Sequence, residues 1–118
     1  MRMRIETRSA VFPLARARSD VKLVNGKRFA SVGEHGTLRL LCSLPVPPNE
    51  QSPHEQDELY VVVQGSGVLF HDGKRDPFSA GDTMFVSAGV EHRFEDFTED
   101  LTVWVVFYGV KGGEKDAA

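Results

Sequence analysis

Two stretches of this chain, residues 53–67 and 81–92, share one plan and restrict the fold more than the rest of the sequence does. In the first stretch, a polar run passes directly into a β-branched segment that ends at Gly65. In the second, a turn at Gly81 is followed by a short apolar segment, another glycine turn and His92. Short β-branched segments bounded by glycine turns predict strands of a sheet, in which residues far apart in the chain become neighbours.

The remainder of the chain also predicts strands. Apolar and polar residues alternate with a period of two, and no window combines the apolar spacing of a helix with caps at both ends. Asn25-Gly26 lies between two such segments and predicts a hairpin, because a type I′ turn requires positive φ at both central residues. Further strands are predicted over residues 37–44, 68–71, 83–86 and 101–108. We therefore expect an all-β fold of the sandwich or barrel type.

Glycine residues also mark the turns between these strands. Gly65-Ser66-Gly67 and Asp72-Gly73 each predict a hairpin turn, and Ala80-Gly81-Asp82 predicts a third turn. The first of these is not a nucleotide-binding fingerprint, because no helix follows it to receive a pyrophosphate. The apolar run within residues 101–108 is typical of a strand that is buried on both faces.

The length of 118 residues predicts a single domain with one hydrophobic core. We assign residues 1–20 to an N-terminal arm and residues 109–118, rich in glycine and charge, to a flexible tail. Cys42 is the single cysteine, which excludes an intrachain disulfide and a zinc cluster of the cysteine type. The sequence has no signal peptide and no apolar run of about eighteen residues, so we expect a cytoplasmic protein without membrane contact.

The formal charge of -3 hides an excess of arginine and lysine in the first quarter of the chain. Such a segment can bind nucleic acid, but these arginines are irregularly spaced and lack the aromatic residues of a single-strand binder. The acidic remainder would also repel phosphate. We therefore expect no nucleic-acid partner, and we interpret the arginines as solvated or as an arm that pairs with another subunit.

Residues 53–67 resemble the first of two motifs of the cupin superfamily, which consists of a glycine, two histidines separated by one residue, a glutamate and a glycine. Counted back from Gly65, the glutamate of this motif falls at Glu58 and its second histidine at His54. The first histidine of the motif falls at Ser52, which is a departure from the family pattern.

Residues 81–92 resemble the second cupin motif in the same way. Counted from Gly81, the family's proline falls at Ser87, its second glycine at Gly89, its histidine at His92 and its final asparagine at Asp96. The order and internal spacing of both motifs are kept. The resemblance implies a single-domain jelly-roll β-barrel of the small conserved-barrel (cupin 2) type.

His54, Glu58 and His92 are the candidate metal ligands. His54 and Glu58 share a parity, so on an extended strand both point to the same face. Taken singly, His54 is a solvated loop histidine and Glu58 an exposed charge, but their joint spacing to the glycine and the matching frame of His92 favour one site. Two imidazoles and a carboxylate suit iron, zinc, manganese or nickel. The resemblance thus implies a divalent transition metal. Gln56 shares the parity of His54 and Glu58, so its side-chain oxygen is a candidate fourth ligand in place of the missing imidazole.

Residues next to these ligands are candidates for contact with a substrate. Tyr60 and Phe94 each follow a ligand on the same face, so they either line the pocket or belong to the core. Arg39 either anchors an anionic substrate through two parallel hydrogen bonds or is a surface cation. Glu55 and Asp57 have the opposite parity and are expected to face solvent.

Three classes of function fit this pattern, and membership of a fold family does not choose among them. The first is a metal-dependent, dioxygenase-like enzyme that acts on a small organic molecule at a two-histidine one-carboxylate site. The second is a non-catalytic or sensory cupin that binds a small ligand, with a structural metal or none. The third is a metal-independent isomerase or epimerase of sugars or keto acids, with His54 or His92 as general base and Tyr60 as acid. In each case we expect a small-molecule ligand and a homodimer.

Overall fold

The computed structural model describes residues 4–49 and 51–115. These residues form one short helix and nine strands, so the chain is all-β, as the sequence predicts. The elements are α1 (Leu14–Ser19), β1 (Lys22–Val24), β2 (Lys27–His35), β3 (Leu38–Ser43), β4 (Asp57–Gln64), β5 (Ser66–His71), β6 (Lys74–Ser79), β7 (Thr83–Val86), β8 (His92–Glu95) and β9 (Thr102–Tyr108).

The strands form two antiparallel sheets that pack face to face as a jelly-roll barrel. One sheet has six strands in the order β1-β2-β3-β9-β4-β7, and the other has three in the order β6-β5-β8. Both sheets contribute side chains to one core, which contains Tyr60, Val62, Leu69, Phe78, Met84, Val86, Phe94, Leu101, Val103, Val105 and Phe107. Strand β9 lies between β3 and β4, which explains its long apolar run.

Two of the predicted hairpin turns are confirmed. Asn25 and Gly26 have φ of 49° and 78° and join β1 to β2, with Val24 opposite Lys27. Asp72 and Gly73 have φ of 48° and 77° and join β5 to β6. Both pairs therefore have the left-handed backbone that a two-residue turn of this type requires.

The prediction of a hairpin turn at Gly65-Ser66-Gly67 is wrong. Only Gly65 interrupts the strands, because Ser66 and Gly67 already belong to β5, and β4 and β5 lie in different sheets. Gly65 has a φ of 90°, and a Cβ there would lie 2.8 Å from the Cα of Leu101. Glycine is thus needed at this position because the chain crosses closely packed backbone as it passes from one sheet to the other.

Helix α1 has no counterpart in the sequence prediction. Its N-cap is Pro13, which makes no side-chain capping bond, and six residues are too few to show a helical period. The helix packs against β2 and β3 and buries Ala17. Tertiary contact therefore stabilises it where its own sequence does not. Within the part of the chain that the structure describes, no helix is long and apolar enough to span a bilayer.

The limits of the predicted arm and tail remain predictions. On the N-terminal side, the backbone N–H of Ile5 donates to the carbonyl of Glu34 in β2 at 2.8 Å. On the C-terminal side, the N–H of Gly112 donates to the carbonyl of Glu55 at 2.7 Å. Both segments thus contact the barrel within residues 4–20 and 109–115.

Candidate metal centre

Three side chains with metal-binding atoms lie together where the two sheets meet. One ligand atom from each of His54, Glu58 and His92 lies within 4.8 Å of the others. Oε1 of Glu58 lies 3.7 Å from Nε2 of His54 and 3.1 Å from Nε2 of His92. Glu58 belongs to the six-stranded sheet and His92 to the three-stranded one, while His54 precedes β4. The structure therefore brings together the three residues that the sequence singled out.

The position of His54 has a different cause from the one predicted. On an extended strand, residues four apart are separated by about 13 Å, too far for one ion to bridge. Here β4 begins only at Asp57, and the chain bends at Glu55 and Gln56, which turns His54 back towards Glu58. The carbonyl of His54 accepts a 2.8 Å hydrogen bond from the N–H of Gly89. This bond ties the first motif to the loop that leads to the second.

The ring of His92 is oriented by its own backbone. Nδ1 of His92 lies 2.9 Å from the carbonyl oxygen of Val90. Because a carbonyl only accepts, Nδ1 carries the hydrogen, and Nε2 of the neutral ring presents a lone pair towards Glu58. A metal-binding histidine needs this tautomer, in which the second ring nitrogen donates to a backbone or carboxylate oxygen.

Glu58 provides the test of whether a cation fits. Its side chain is 2% exposed, and within the described residues its Oε1 has no hydrogen-bond partner. A buried carboxylate oxygen without a partner is costly, unless a cation lies against it. Nε2 of each of the two histidines lies within 4 Å of this oxygen, at 3.7 Å for His54 and 3.1 Å for His92. Two imidazole nitrogens and a carboxylate oxygen form the donor set of a first-row transition metal, so the residues present fit such an ion.

The two histidines differ in how they hold a proton. Burial lowers the pKa of the His54 ring, and the Glu58 carboxylate opposes this effect only in part. Burial also acts to lower the pKa of His92, but the Glu58 carboxylate and the Val90 carbonyl outweigh it and raise that pKa. An ion must therefore displace a proton from His92 more often than from His54.

Tyr60 extends the site through a hydrogen-bonded relay. Its hydroxyl lies 3.2 Å from Nε2 of His92 and donates to Oε1 of Gln51 at 3.0 Å. Nε2 of Gln51 donates to Oδ1 of Asn49 at 2.6 Å, and that oxygen also accepts the N–H of Phe94 at 2.8 Å. Burial, followed by the Glu58 charge, raises the pKa of Tyr60 well above its usual range, so the hydroxyl keeps its proton. Gln51 and Asn49 were not among the predicted site residues, and only their place before the first motif could have indicated them.

The remaining predicted site residues separate into two groups. Phe94 is 4% exposed and packs on the rings of Tyr60 and Phe78 at 5.0 and 5.5 Å between centroids, as a core residue does. The guanidinium of Arg39, in contrast, lies 4.6 Å from the ring centre of Phe107. The centre of that ring lies 4.8 Å from the centre of the His54 ring, at an interplanar angle of 71°, which places Arg39 beside the cluster.

Gln56, the candidate fourth ligand, has its side chain held by hydrogen bonds to two backbone carbonyls. Its side-chain amide nitrogen donates to the carbonyls of Thr37 and Gly109, both at 2.9 Å. These bonds hold the amide against the loops next to β3 and β9, so it braces the bend between His54 and Glu58.

The expectation that Asp57 faces solvent is wrong, whereas Glu55 is exposed as predicted. Asp57 is 3% exposed and accepts the N–H groups of Glu114 and Ala88 at 2.8 and 2.9 Å. These two backbone hydrogen bonds lower the pKa of Asp57. The parity argument fails here because residues 110–115 return across the start of β4 and cover its second face.

Comparison with known proteins identifies the family. Residues 44–108 match the family model of the cupin domain, and the chain belongs to this family. An uncharacterized protein of Streptomyces coelicolor is 41% identical over 59 residues, which cover 50% of this chain and 56% of that protein. The oxalate-binding protein of Thermotoga maritima is 33% identical over 66 residues, which cover 52% of this chain and 54% of that protein. The matched part thus spans about half the length of these curated relatives.

A solved structure shows the same fold over a larger part of the chain. The structure of KdgF from Halomonas sp. aligns with a TM-score of 0.69 and 20% identity, covering 84% of this chain and 92% of that one. At this identity the likeness shows the fold alone. It agrees with the jelly-roll barrel that carries the His54, Glu58 and His92 cluster.

Proposed function

We propose that the protein binds one divalent transition metal ion through His54, Glu58 and His92. The observation that carries this proposal is the buried Oε1 of Glu58, which has no hydrogen-bond partner among the described residues and lies between the two imidazoles. The donor set suits iron, zinc, manganese or nickel. Ser52, in place of the family's first histidine, is exposed and leaves the ion with fewer imidazole ligands.

For the reaction, we propose oxygenation of a small organic molecule. A site with two histidines and one carboxylate leaves positions open, where a bound metal supplies coordination for substrate and dioxygen. The residues around it have defined tasks. Val90 fixes the ring of His92 through its carbonyl, and Tyr60 keeps a hydroxyl proton beside that ring. The buried position of the cluster also excludes bulk water from Glu58 and His92.

A second candidate function is binding of a small ligand without turnover. It is supported by the relative from Thermotoga maritima, which is described as an oxalate-binding protein. A metal-independent isomerase has less support, because the raised pKa of Tyr60 makes its hydroxyl a weak acid. For any of these functions, we further propose that the ligand is a small molecule and that the protein is a homodimer. Measurement of the mass in solution tests the dimer.

The experiment is metal analysis of protein purified without an affinity tag from metal-supplemented medium. We expect close to one equivalent of a transition metal in the native protein, lost in His92→Ala and retained in His71→Ala. His71 is the matched control, because it is a half-buried histidine that pairs with Asp76 at 2.7 Å outside the cluster. Absence of metal from the native protein would contradict the proposed site. Bound iron together with oxygen uptake on a panel of organic acids supports the oxygenase, and metal without turnover supports the binding module.

A further inference from the structure

Arg39 lies in the same cross-strand row as Glu58. In the six-stranded sheet, Arg39 is opposite Phe107, and Phe107 is opposite Glu58. Residues directly opposite one another in antiparallel strands project to the same face of the sheet. Phe107 and Glu58 are both buried. Arg39, the second residue of β3, therefore belongs to the interior face of that strand.

The aromatic ring of Phe107 connects Arg39 with the metal ligands. The guanidinium carbon lies 4.6 Å from the centre of this ring, and the ring packs against that of His54 in a T-shaped arrangement. Stacking on an aromatic face holds the planar guanidinium in one orientation. Its N–H groups lie in the guanidinium plane and stay free to donate to a ligand. Arg39 is therefore a cation beside the site, separated from His54 by the ring of Phe107.

The charge of Arg39 is not neutralised by an ion pair with any residue in the ranges 4–49 and 51–115. Arg75 and Arg93, which both lie over the ring of Phe70, differ because each has a nitrogen 2.9 or 2.8 Å from a carboxylate oxygen of Glu95. Arg39 is half-buried, so its unpaired charge favours an anionic ligand.

We propose that Arg39 anchors a carboxylate group of the ligand that binds at the His54, Glu58 and His92 site. This inference rests on the proposed metal site. A divalent ion and one guanidinium together carry three positive charges, against which the cluster offers the single carboxylate of Glu58. A ligand with one or two carboxylates balances this excess. The guanidinium matches a carboxylate through two parallel N–H···O bonds, which a lysine cannot form.

The test is calorimetric titration of zinc-loaded protein with malonate, and with malonamide as its uncharged counterpart. Zinc affinity is measured first, by competition with a chromophoric chelator. We expect Arg39→Gln to keep zinc and to bind malonate about ten- to a hundredfold more weakly, as loss of a charge-assisted pair predicts. Arg39→Lys should recover only part of the affinity. Arg75→Gln is the matched control, since it removes an arginine that also stacks on a phenyl ring, and it should bind malonate as the native protein does.

The outcomes separate this inference from the proposed function. Failure of the native protein to take up zinc contradicts both. Zinc uptake with equal malonate affinity in the native protein and Arg39→Gln leaves the metal site intact and overturns the role of Arg39. Equal loss of malonate and malonamide binding in Arg39→Gln also overturns it, because it indicates damage to the pocket. The unfolding midpoint of Arg39→Met, which keeps an aliphatic stem over Phe107, checks that the fold survives the loss of charge.

Discussion

Nε2 of His92 lies 3.1 Å from Oε1 of Glu58, although the two residues belong to different sheets of the barrel. Neither sheet contains the site alone, and the cluster forms only when the sheets pack on each other. The unfolded chain therefore has no equivalent site for a metal ion. Binding of the proposed metal ion would therefore be coupled to folding.

The first prediction follows from this coupling. Addition of zinc or manganese should raise the free energy of unfolding, by about 2.7 kcal/mol when free metal is a hundredfold above its dissociation constant. His92→Ala should abolish most of the increase, because it removes one of the three ligand atoms. Thermal denaturation with metal and with EDTA measures the effect. In His71→Ala the increase should be unchanged, and an equal increase in His92→Ala would place the metal elsewhere.

The second prediction concerns the relay through Tyr60. Tyr60→Phe keeps the ring that packs on Phe94 but removes the hydroxyl, which leaves Oε1 of Gln51 without its donor. We expect a loss of stability of about 1 kcal/mol, the usual effect of one buried hydrogen bond. Urea denaturation of the metal-free protein measures it. Tyr108→Phe is the control, and an equal loss in both variants would contradict a specific role for the relay.

Much of the fold was predictable because short-range turn chemistry determines it. The Asn25-Gly26 and Asp72-Gly73 turns adopt positive φ as their residue types require. Strand β7 has the predicted bounds, Thr83–Val86, and β9 begins one residue after the predicted start. In each case, residues close in sequence carry the information, so no knowledge of the packing is needed.

What could not be predicted depends on contacts between distant segments. Strand β6 contains Pro77, which a sheet tolerates here because β6 is an edge strand, and edge position is a property of the whole topology. The bend that brings His54 to Glu58 depends on the carbonyl of His54 binding Gly89. The sequence predicted that His54, Glu58 and His92 lie together, but it did not predict the bend that joins them.

The third prediction compares two glycines with left-handed backbone. Gly65 and Gly81 have φ of 90° and 95°, so alanine at either position is strained by about 1–2 kcal/mol. At Gly65 a Cβ would also lie 2.8 Å from the Cα of Leu101, whereas at Gly81 it meets nothing within 4 Å. Gly65→Ala should therefore be clearly less stable than Gly81→Ala in urea denaturation. Equal losses would show that the backbone near Leu101 yields without cost.

The fourth prediction tests the covered carboxylate of Asp57. Asp57→Asn leaves one oxygen for the N–H groups of Ala88 and Glu114, so one buried donor loses its acceptor. We expect a loss of about 1–3 kcal/mol in urea denaturation at neutral pH. Asp72→Asn is the matched control, because Asp72 is exposed and asparagine suits the same type I′ turn. A comparable loss in both variants would contradict the special role of Asp57.

The same variant should also remove part of the pH dependence of stability. The pKa of Asp57 is lowered in the folded protein, chiefly by the N–H groups of Glu114 and Ala88. A carboxyl of this kind stabilises the fold at pH values above its unfolded pKa of about 4, and the contribution disappears as the pH falls through the lower folded value. The difference in unfolding free energy between the native protein and Asp57→Asn should therefore be constant near neutral pH and shrink below about pH 4. A difference that stays constant through this acidic range would show that the Asp57 carboxylate does not hold these two backbone groups in solution.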